Sequence, residues 1–427
     1  MDSAPEPRPR SPAANFRLLF TGQSVSLFGT AITMVALPAV AVLSLHATTF
    51  EVALISAAAY VPYAVLGLIV GVYIDLWNRR TTLIWSDAAR VVIFGSIPVL
   101  WVLGLLQIWY LIAAALLAGV FDLSFNAAFQ AYFQEITPPA DLTRGNAWLQ
   151  GSESVALLGG PGVGGVLIQA IGAAFTISAD AASYVISVAS ILAIRGRRAA
   201  IPDQRGARNR PRLRSQIAEG WRYLTRDRLL RTWLWAVAHY NLCDAARQAL
   251  LVLFLLRVVR VAPAFVGLLL AVSGVGALLG AAMARPLVDR LGIGPTMTLA
   301  LVIGPGAGLL IPFTYPGARL SLFVVASLVL GMAEAVLKIA GVSYRQATVP
   351  ERMLGRVVAT NRTLTWGPTP LGAVLAGVLG QLAGVRPALF IIAILTAAVP
   401  LWVLIWPVWS IRSPAATKPD APVPGAS

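Results

Sequence analysis

Long apolar runs recur along nearly the whole of this 427-residue chain and constrain its fold more than any single motif. A helix that crosses a lipid bilayer needs about 20 mostly apolar residues. Twelve runs fit that length: about 17–45, 51–74, 81–104, 108–132, 145–170, 173–195, 231–256, 262–284, 295–315, 319–342, 356–382 and 386–411. Only 12% of the residues are charged, whereas soluble domains carry about 25%. The sequence therefore predicts an all-α integral membrane protein with twelve transmembrane helices.

The excess of basic residues indicates how these helices are oriented. The formal net charge is +15, which in a soluble protein would raise the question of nucleic-acid binding. Here the basic residues lie between apolar runs, as they do in the cytoplasmic loops of membrane proteins. Most of them fall on one side of the predicted spans: Arg8, Arg10, Arg17, Arg79, Arg80, Arg144, Arg285, Arg290, Arg352, Arg356, Arg412 and Lys418. We therefore expect both termini in the cytoplasm and no nucleic-acid partner.

A basic segment between the sixth and seventh runs divides the chain into two halves. Six-helix bundles are predicted at 17–195 and 231–411, a basic cytoplasmic linker at 196–230, and disordered cytoplasmic tails at 1–16 and 412–427. Within the linker, Ile217, Trp221 and Leu224 follow an i, i+4, i+7 pattern, which is typical of an amphipathic helix on the inner leaflet. We interpret the linker as a tether, with a specific site for a partner or for anionic lipid as the alternative. The N-terminal tail is polar for too long to be the n-region of a signal peptide, so the first run should remain a span.

The two halves repeat each other at a shift of 212 residues. Segment 119–169 aligns with 331–381 without a gap, and Asp122 falls on Glu334. The identities include polar pairs, which apolar composition does not explain: Tyr132/Tyr344, Gln134/Gln346, Arg144/Arg356 and Gln169/Gln381. Six spans per copy give both copies the same orientation. The repeat therefore predicts two pseudo-symmetric bundles related by an axis along the membrane normal, with a cavity between them.

A charged stretch, GVYIDLWNRR at 71–80, interrupts the apolar pattern after the second span. An echo at 284–292 places Asp289 on Asp75 at an offset of 214. Arginines at a helix exit are explained by orientation, whereas an acidic residue there is not. We therefore interpret both stretches as parts of a cytoplasmic gate, and the candidate gate residues are Gly71, Asp75, Arg79, Arg80, Arg144, Asp289, Arg290, Gly292 and Arg356.

Twelve spans in two halves, with a G-x-x-x-D…R-R loop after the second span, resemble the major facilitator superfamily. The segments NFRLLFTGQSVSLFG, TPPADLTRGNA and VPERMLGRVVA are similar to its bacterial drug and siderophore exporter branch, of the macrolide-efflux and enterobactin-exporter type. The resemblance implies a secondary exporter of the bacterial inner membrane, which moves amphipathic small molecules in exchange for protons by alternating access. It also implies that Asp75 docks near Met353–Arg356 and that Asp289 docks near Leu142–Ala147 when the transporter faces outward.

The stretch GPGVGG in the fifth span matches the G-P-x-x-G-G pattern of antiporters in that family, through Gly160, Pro161, Gly164 and Gly165. Glycine lets membrane helices approach closely and proline bends them, so a structural role fits the stretch. The same letters satisfy G-x-G-x-x-G, but no strand precedes them, which excludes a dinucleotide site. No P-loop motif occurs in the chain. We expect neither a cofactor nor ATP-driven transport.

Polar and ionisable residues within the predicted spans are the candidates for a proton and substrate cavity, because they are costly in a membrane. They are Asp122, Asn126, Glu153, Asp244, Arg247, Glu334 and Lys338. The spacings of Asp244–Arg247 and of Glu334–Lys338 predict an ion pair within each helix. That leaves Asp122 and Glu153 without an obvious cation, which makes them the preferred proton sites. We expect a structural role for Asp180 and a packed, hydrogen-bonded imidazole for His239.

Two other functions stay open at this point. One is an uptake carrier of the same fold for a sugar or another nutrient, although the spans offer few of the paired polar residues that a sugar needs. The other is a membrane sensor or scaffold that transports nothing, which leaves the embedded acids unexplained. With one cysteine and no nucleophile motif, we expect neither an enzyme nor a metal site. The expected partners are a small-molecule substrate, protons and the lipid bilayer, and the expected state is a monomer.

Overall fold

A computed structural model describes residues 12–73, 78–138, 141–194 and 213–405. Within these ranges the regular structure is entirely helical. The helices are α1 (Pro12–Ala39), α2 (Thr49–Tyr73), α3 (Arg79–Val102), α4 (Ile108–Ile136), α5 (Leu142–Ile171), α6 (Ala173–Ala193), α7 (Leu213–Arg226), α8 (Arg228–Leu253), α9 (Pro263–Leu291), α10 (Ile293–Gly308), α11 (Leu320–Thr348), α12 (Glu351–Trp366), α13 (Thr369–Ala383), α14 (Val385–Ala397) and α15 (Leu401–Ile405). Single π-helical turns at Val40–Ser44 and Phe254–Val258 extend α1 and α8.

The all-α membrane fold is confirmed. Among the described residues, ten helical segments are long and apolar enough to cross a bilayer. The two remaining predicted spans are largely helical as well: α8 and its π-helical extension cover 231–256, while α12 and α13 cover most of 356–382. Charged and polar residues lower the hydropathy of α8, and a break at Gly367–Pro368 divides the eleventh predicted span. The count of twelve spans thus stays a prediction.

The predicted domain boundaries stay a prediction, and the described helices can be set beside them. Helix α1 begins at Pro12, so residues 12–16 of the predicted tail are helical. The remainder of that tail, the basic part of the linker at 195–212 and the C-terminal tail lie outside the described residues. We call α1–α6 the N-half and α8–α15 the C-half. The helix predicted within the linker is α7.

Helix α7 packs against the C-half. Leu224 is fully buried in the C-half core, and the Tyr223 hydroxyl donates a hydrogen bond to the Thr348 carbonyl oxygen at 2.9 Å. The Trp221 ring meets the Trp235 ring edge-on, with 6.2 Å between their centroids. The apolar stripe predicted from the sequence is therefore used at least partly for protein contact instead of for the lipid surface.

Close helix approach joins the two halves along α5–α9 and α2–α13. At Gly165 and Gly267 the backbones are so near that a Cβ would collide with the carbonyl oxygens of Pro263 and Pro161, respectively. At Gly377 a Cβ would lie 2.8 Å from the Cβ of Ala53. Glycine permits this contact because it carries no side chain. The halves therefore meet at helix faces that only small residues can form.

These contacts between the halves lie towards one end of the bundle, which we call the sealed end. There the Arg257 guanidinium crosses from the C-half to the N-half and donates to the carbonyl oxygens of Ala47, at 2.6 Å, and Val42, at 3.0 Å. The backbone N–H of Ala264 donates to Oε1 of Gln169 at 3.3 Å. At the opposite end, which we call the exposed end, α9 finishes with Arg285 and Asp289 largely in the open, 91% and 67% exposed.

Candidate functional site

A buried arginine that the sequence analysis did not single out organises the polar groups of the N-half. Arg90, on α3, is only 3% exposed. Its guanidinium donates to Oδ1 of Asp122 at 3.1 Å and to Oδ1 of Asp87. It also lies 4.6 Å from the ring centroid of Phe125 and 4.4 Å from that of Tyr184, so two aromatic faces screen it from water. The available signal was the pair Asp87–Arg90 at i, i+3 inside the predicted span 81–104.

Asp122 is the member of this cluster that reaches open space. Its side chain is 34% exposed. The Tyr63 hydroxyl and the Asn126 amide both donate to Oδ2 of Asp122, the amide at 3.0 Å. The prediction that Asp122 lacks a cation is wrong, because Arg90 reaches it from a neighbouring helix. A search confined to one helix could not detect that contact.

Asp180 adds a third carboxylate behind Arg90. It is fully buried, and its Oδ1 accepts a hydrogen bond from the Ser183 hydroxyl at 3.2 Å. Arg90 is the cation whose field acts on it. Within the described part of the chain, Oδ2 of Asp180 and Oδ2 of Asp87 are buried without a hydrogen-bond partner. A purely structural role therefore does not account for the buried Asp180 oxygen that lacks a hydrogen-bond partner.

The charge balance of this N-half cluster has a chemical consequence. Three carboxylates, from Asp87, Asp122 and Asp180, face one guanidinium, from Arg90. If all four groups were ionised, the cluster would carry a net charge of −2 in surroundings of low dielectric constant. Burying unpaired charge is so unfavourable that carboxylates bind protons instead. The cluster is thus a candidate proton site.

The C-half holds a smaller ion pair. Nε of Arg247 donates to Oδ1 of Asp244 at 3.2 Å, and a terminal guanidinium nitrogen contacts the same oxygen. This pair, predicted from its i, i+3 spacing, is confirmed. It borders a small cavity that Tyr240 and Thr396 also line.

Glu334 and Lys338, on α11, do not form the predicted ion pair, because no nitrogen–oxygen contact within 4 Å joins them in the described structure. Both side chains are exposed. Glu334 lies within the electrostatic reach of Lys338 and also of Asp244 and Arg247 on α8. The i, i+4 spacing puts two side chains on one helix face, but it does not by itself bring their charged ends into contact.

Glu153 lies on an exposed face of α5. Its carboxylate accepts a hydrogen bond from the Gln150 amide at 2.9 Å. Among the described residues no cation pairs with it, as the sequence analysis expected. Its use as a proton site stays a prediction.

Tyr60 and Tyr63, on α2, connect the two sets of charges. Tyr60 lies within the electrostatic reach of Asp122 in the N-half and of Asp244 and Glu334 in the C-half. Tyr63, which bonds Asp122, is influenced by Arg362 on α12. The acidic groups of both halves therefore act on the same tyrosine at the boundary between the bundles, where the sequence repeat predicted a cavity. Arg362 was also missed, because it lies near the charged start of a span.

Two basic residues of the predicted gate, Arg79 and Arg80, form contacts within the N-half. Arg79, the first residue of α3, pairs with Glu135 at 3.4 Å. Arg80 donates to the carbonyl oxygens of Ile191, at 3.2 Å, and Leu192, at 2.9 Å. Both arginines thus tie the start of α3 to the ends of α4 and α6. These contacts are those expected where a helix leaves the membrane, and they neither support nor contradict a role in the gate.

The docking contacts of the gate stay a prediction. Asp75 lies outside the described residues, and only the helical backbone is described at Gly71 and Arg356. Asp289 is 67% exposed and faces Arg285 on its own helix at 3.7 Å, so in this conformation it is not buried against the start of α5. Arg144 and Arg290 are exposed, while Gly292 takes a φ of 90° in the tight link from α9 to α10.

The GPGVGG stretch lies between two helices. A Cβ at Gly160 would collide with Ala31, and one at Gly164 would lie 3.2 Å from the Ile32 carbonyl oxygen, both on α1. Pro161 and Gly165 face α9. The stretch therefore fits α5 tightly between its own half and the other half, in keeping with the structural role expected for it. His239 accepts a hydrogen bond from the Trp402 indole at 3.2 Å, so the expected packed imidazole is confirmed.

Comparison with known proteins identifies the family. A family model described as a transmembrane secretion effector matches residues 9–424. The multidrug efflux pump Tap of Mycolicibacterium fortuitum is 27% identical over 368 residues, which cover 84% of this chain and 87% of that protein. The MFS-type transporter YfiS of Bacillus subtilis is 27% identical over 394 residues, covering 91% and 92%.

Solved structures agree with the fold. The nucleoside transporter NupG superposes with a TM-score of 0.72 at 10% identity, over 92% of this chain and 98% of its own. A bacterial homologue of the iron transporter ferroportin, in an inward-facing state, superposes with a TM-score of 0.76 at 15% identity, over 93% and 99%. At such low identity the likeness establishes the fold alone.

Proposed function

Because the chain belongs to the transmembrane secretion effector family of major facilitator transporters, we propose that it exports amphipathic small molecules in exchange for protons. Membership makes it a multi-pass membrane transporter. The direction and the substrate class are suggested by the relative named a multidrug efflux pump. The antiporter-like GPGVGG stretch in α5 points the same way.

The observation that carries proton coupling is the charge imbalance around Arg90. Asp122 is the partly exposed member of the cluster and faces the space between the halves. A proton or a cationic group of a substrate can neutralise it, and each excludes the other. When Asp122 is neutral, Arg90 remains paired with Asp87 and within the field of Asp180. Competition for one carboxylate is the simplest physical basis for exchange of substrate against proton.

The other candidate residues surround the same space. Asn126 and Tyr63 orient the Asp122 carboxylate through hydrogen bonds. Glu153 offers a second exposed carboxylate from α5, and Glu334 and Lys338 offer charges from α11. In this proposal the Asp244–Arg247 pair stays closed, and the exposed groups contact the substrate or the proton.

The positions of the arginines indicate how the protein is oriented in the membrane. With the basic loops in the cytoplasm, the exposed end faces the cytoplasm, both termini lie there, and the sealed end faces outward. The conformation is then inward-facing, and alternating access requires the sealed end to open while the exposed end closes. The proposed docking of Asp75 and Asp289 belongs to that second state. We place the protein in the bacterial inner membrane as a monomer of two six-helix bundles.

The test is substrate accumulation in cells that overexpress the protein, measured with a cationic amphipathic dye, with and without a protonophore. Export coupled to protons predicts lower dye accumulation that returns to the control level on uncoupling. The Asp122→Asn variant should accumulate dye like cells without the protein. Glu51→Gln, at the sealed end of α2, serves as a charge-matched control and should export normally.

Two results would overturn parts of this proposal. Dye uptake that increases with expression would replace export by import. Normal, protonophore-sensitive export by Asp122→Asn would remove Asp122 from proton coupling while leaving export itself in place.

A further inference from the structure

A cavity of about 800 Å³ opens on the side of the N-half. Its walls come from α1, α5 and α6, and among the described residues none from the C-half lines it. It is therefore distinct from the space between the halves that Asp122 faces. We call it the lateral groove.

The surface of the lateral groove is almost entirely apolar. Phe20, Phe28 and Ile32 line it from α1, and Trp148 and Val155 line it from α5. Its serines are already hydrogen-bonded: the hydroxyls of Ser24 and Ser152 lie 2.8 Å apart, and Ser183 donates to the Asp180 carbonyl oxygen. With its polar groups satisfied internally, the groove suits a hydrocarbon chain.

The length of the lateral groove matches one membrane leaflet. Its α1 wall runs from Phe20 to Ile32, which at 1.5 Å per residue is about 18 Å. Half of the hydrocarbon core of a bilayer is about 15 Å. The groove thus extends from the headgroup level at the exposed end to about the middle of the membrane.

Two arginines stand at the headgroup end. Arg144 lines the mouth of the groove and is exposed. Arg17 is also exposed and precedes Ser24 by seven residues, so both lie on the same face of α1. Among the described residues neither arginine has an acidic partner. Guanidinium groups bind phosphate oxygens through paired, charge-assisted hydrogen bonds.

We propose that the lateral groove binds one acyl chain of an anionic phospholipid from the leaflet at the exposed end, with the lipid phosphate held by Arg17 and Arg144. The ligand is a lipid because the groove opens to the bilayer from a single bundle and has charge only at the headgroup level. The site is separate from the transport site, so the proposal does not depend on the proposed function.

Gly151 allows a direct test. It lines the groove, and open space surrounds the position of its absent Cβ, so a side chain can start there without a Cβ clash and the indole of Gly151→Trp is placed to occupy the groove. Gly162, on the same helix, also points into open space but does not line the groove. Gly162→Trp is therefore the matched control for expression and folding.

The measurement is lipid retention by the purified full-length protein, mixed in detergent with equal dioleoyl phosphatidylglycerol and dioleoyl phosphatidylcholine and examined by native mass spectrometry. The wild type and Gly162→Trp should retain one phosphatidylglycerol, and the amount retained by Gly151→Trp should be about tenfold lower. The double variant Arg17→Gln/Arg144→Gln should retain both lipids alike, because it lacks the charge-assisted hydrogen bonds that favour phosphatidylglycerol. A tenfold preference in retention corresponds to about 1.4 kcal/mol.

Equal retention of phosphatidylglycerol by Gly151→Trp and the wild type would overturn the site. Equal retention of the two lipids by the wild type would overturn the role of the arginines. If tetraphenylphosphonium displaced phosphatidylglycerol from the wild type and itself bound to the wild type but not to Gly151→Trp, the groove would be a substrate entrance and the lipid assignment would be wrong.

Discussion

In the N-half one guanidinium faces three carboxylates, whereas in the C-half Asp244 pairs with Arg247, and Glu334 lies within the field of both Arg247 and Lys338. The sequence repeat places Asp122 on Glu334, so the two halves began from a common plan. The position of Arg90 falls on Val302 at an offset of 212 and on Gly304 at 214, and neither carries charge. The duplication has kept the helices and changed the electrostatics. We infer that the unbalanced half handles protons and that the balanced half positions substrate.

The largest effect is expected from removing the buried cation. Arg90→Met leaves Asp87, Asp122 and Asp180 without a counter-charge and should abolish export. Breaking a buried pair in this way costs about 3–5 kcal/mol, so thermal unfolding of the purified protein should shift strongly downward. Arg247→Met, the comparison in the C-half, should lower the unfolding temperature less, because Asp244 is partly exposed. Equal shifts for the two variants would contradict the difference between the halves.

The repeat-related acids give the next largest effect. Asp122→Asn should reduce proton-driven export at least about tenfold, while Glu334→Gln should keep proton dependence and weaken apparent substrate affinity. Everted vesicles with an imposed pH gradient, assayed over a range of dye concentrations, separate the two outcomes. Loss of proton dependence in Glu334→Gln would assign proton handling to both halves.

A smaller effect is expected from the tyrosine that orients Asp122. Tyr63→Phe removes one hydrogen bond to the Asp122 carboxylate and leaves the Asn126 amide bonded to the same oxygen. Export should therefore slow by about tenfold, which corresponds to the lower end of the ~1.5–3 kcal/mol that a hydrogen bond to a charged group contributes. Tyr240→Phe, beside the Asp244–Arg247 pair, should change the rate only slightly. The same vesicle assay measures both, and a greater loss in Tyr240→Phe would reverse the ranking of the halves.

The smallest effect is expected for Lys338→Met. The side chain is exposed and forms no ion pair with Glu334, and exposed charges contribute about 0–1 kcal/mol. Thermal stability should therefore stay close to that of the wild type. A marked loss of stability would show that Glu334 and Lys338 interact after all.

Prediction from sequence succeeded where an interaction lies within one element. The apolar runs correspond to the helices, and the i, i+3 spacing of Asp244 and Arg247 gave their ion pair. The helix predicted around Trp221 also exists as α7. In each case the residues that decide the outcome are neighbours in the chain.

The buried cluster could not be predicted in that way. Arg90 and Asp122 are 32 residues apart, on α3 and α4, and Asp180 comes from α6. Only the packing of helices brings them together. The expected Glu334–Lys338 pair fails for the same reason, since charges on α8 act on Glu334 from outside its own helix. Spacing along a helix identifies which groups share a face, and tertiary contacts decide which of them meet.

One link between the halves at the sealed end consists of the Arg257 guanidinium and two backbone carbonyls, those of Ala47 and Val42. A peptide carbonyl neither titrates nor varies with the side chain of its residue. A change of pH therefore leaves these acceptors unchanged, and substitutions in the 42–47 segment retain them as long as the backbone keeps its course. The sealed end can thus keep this link through changes of environment and of sequence, and in the proposed mechanism the proton acts elsewhere, on the cluster around Arg90.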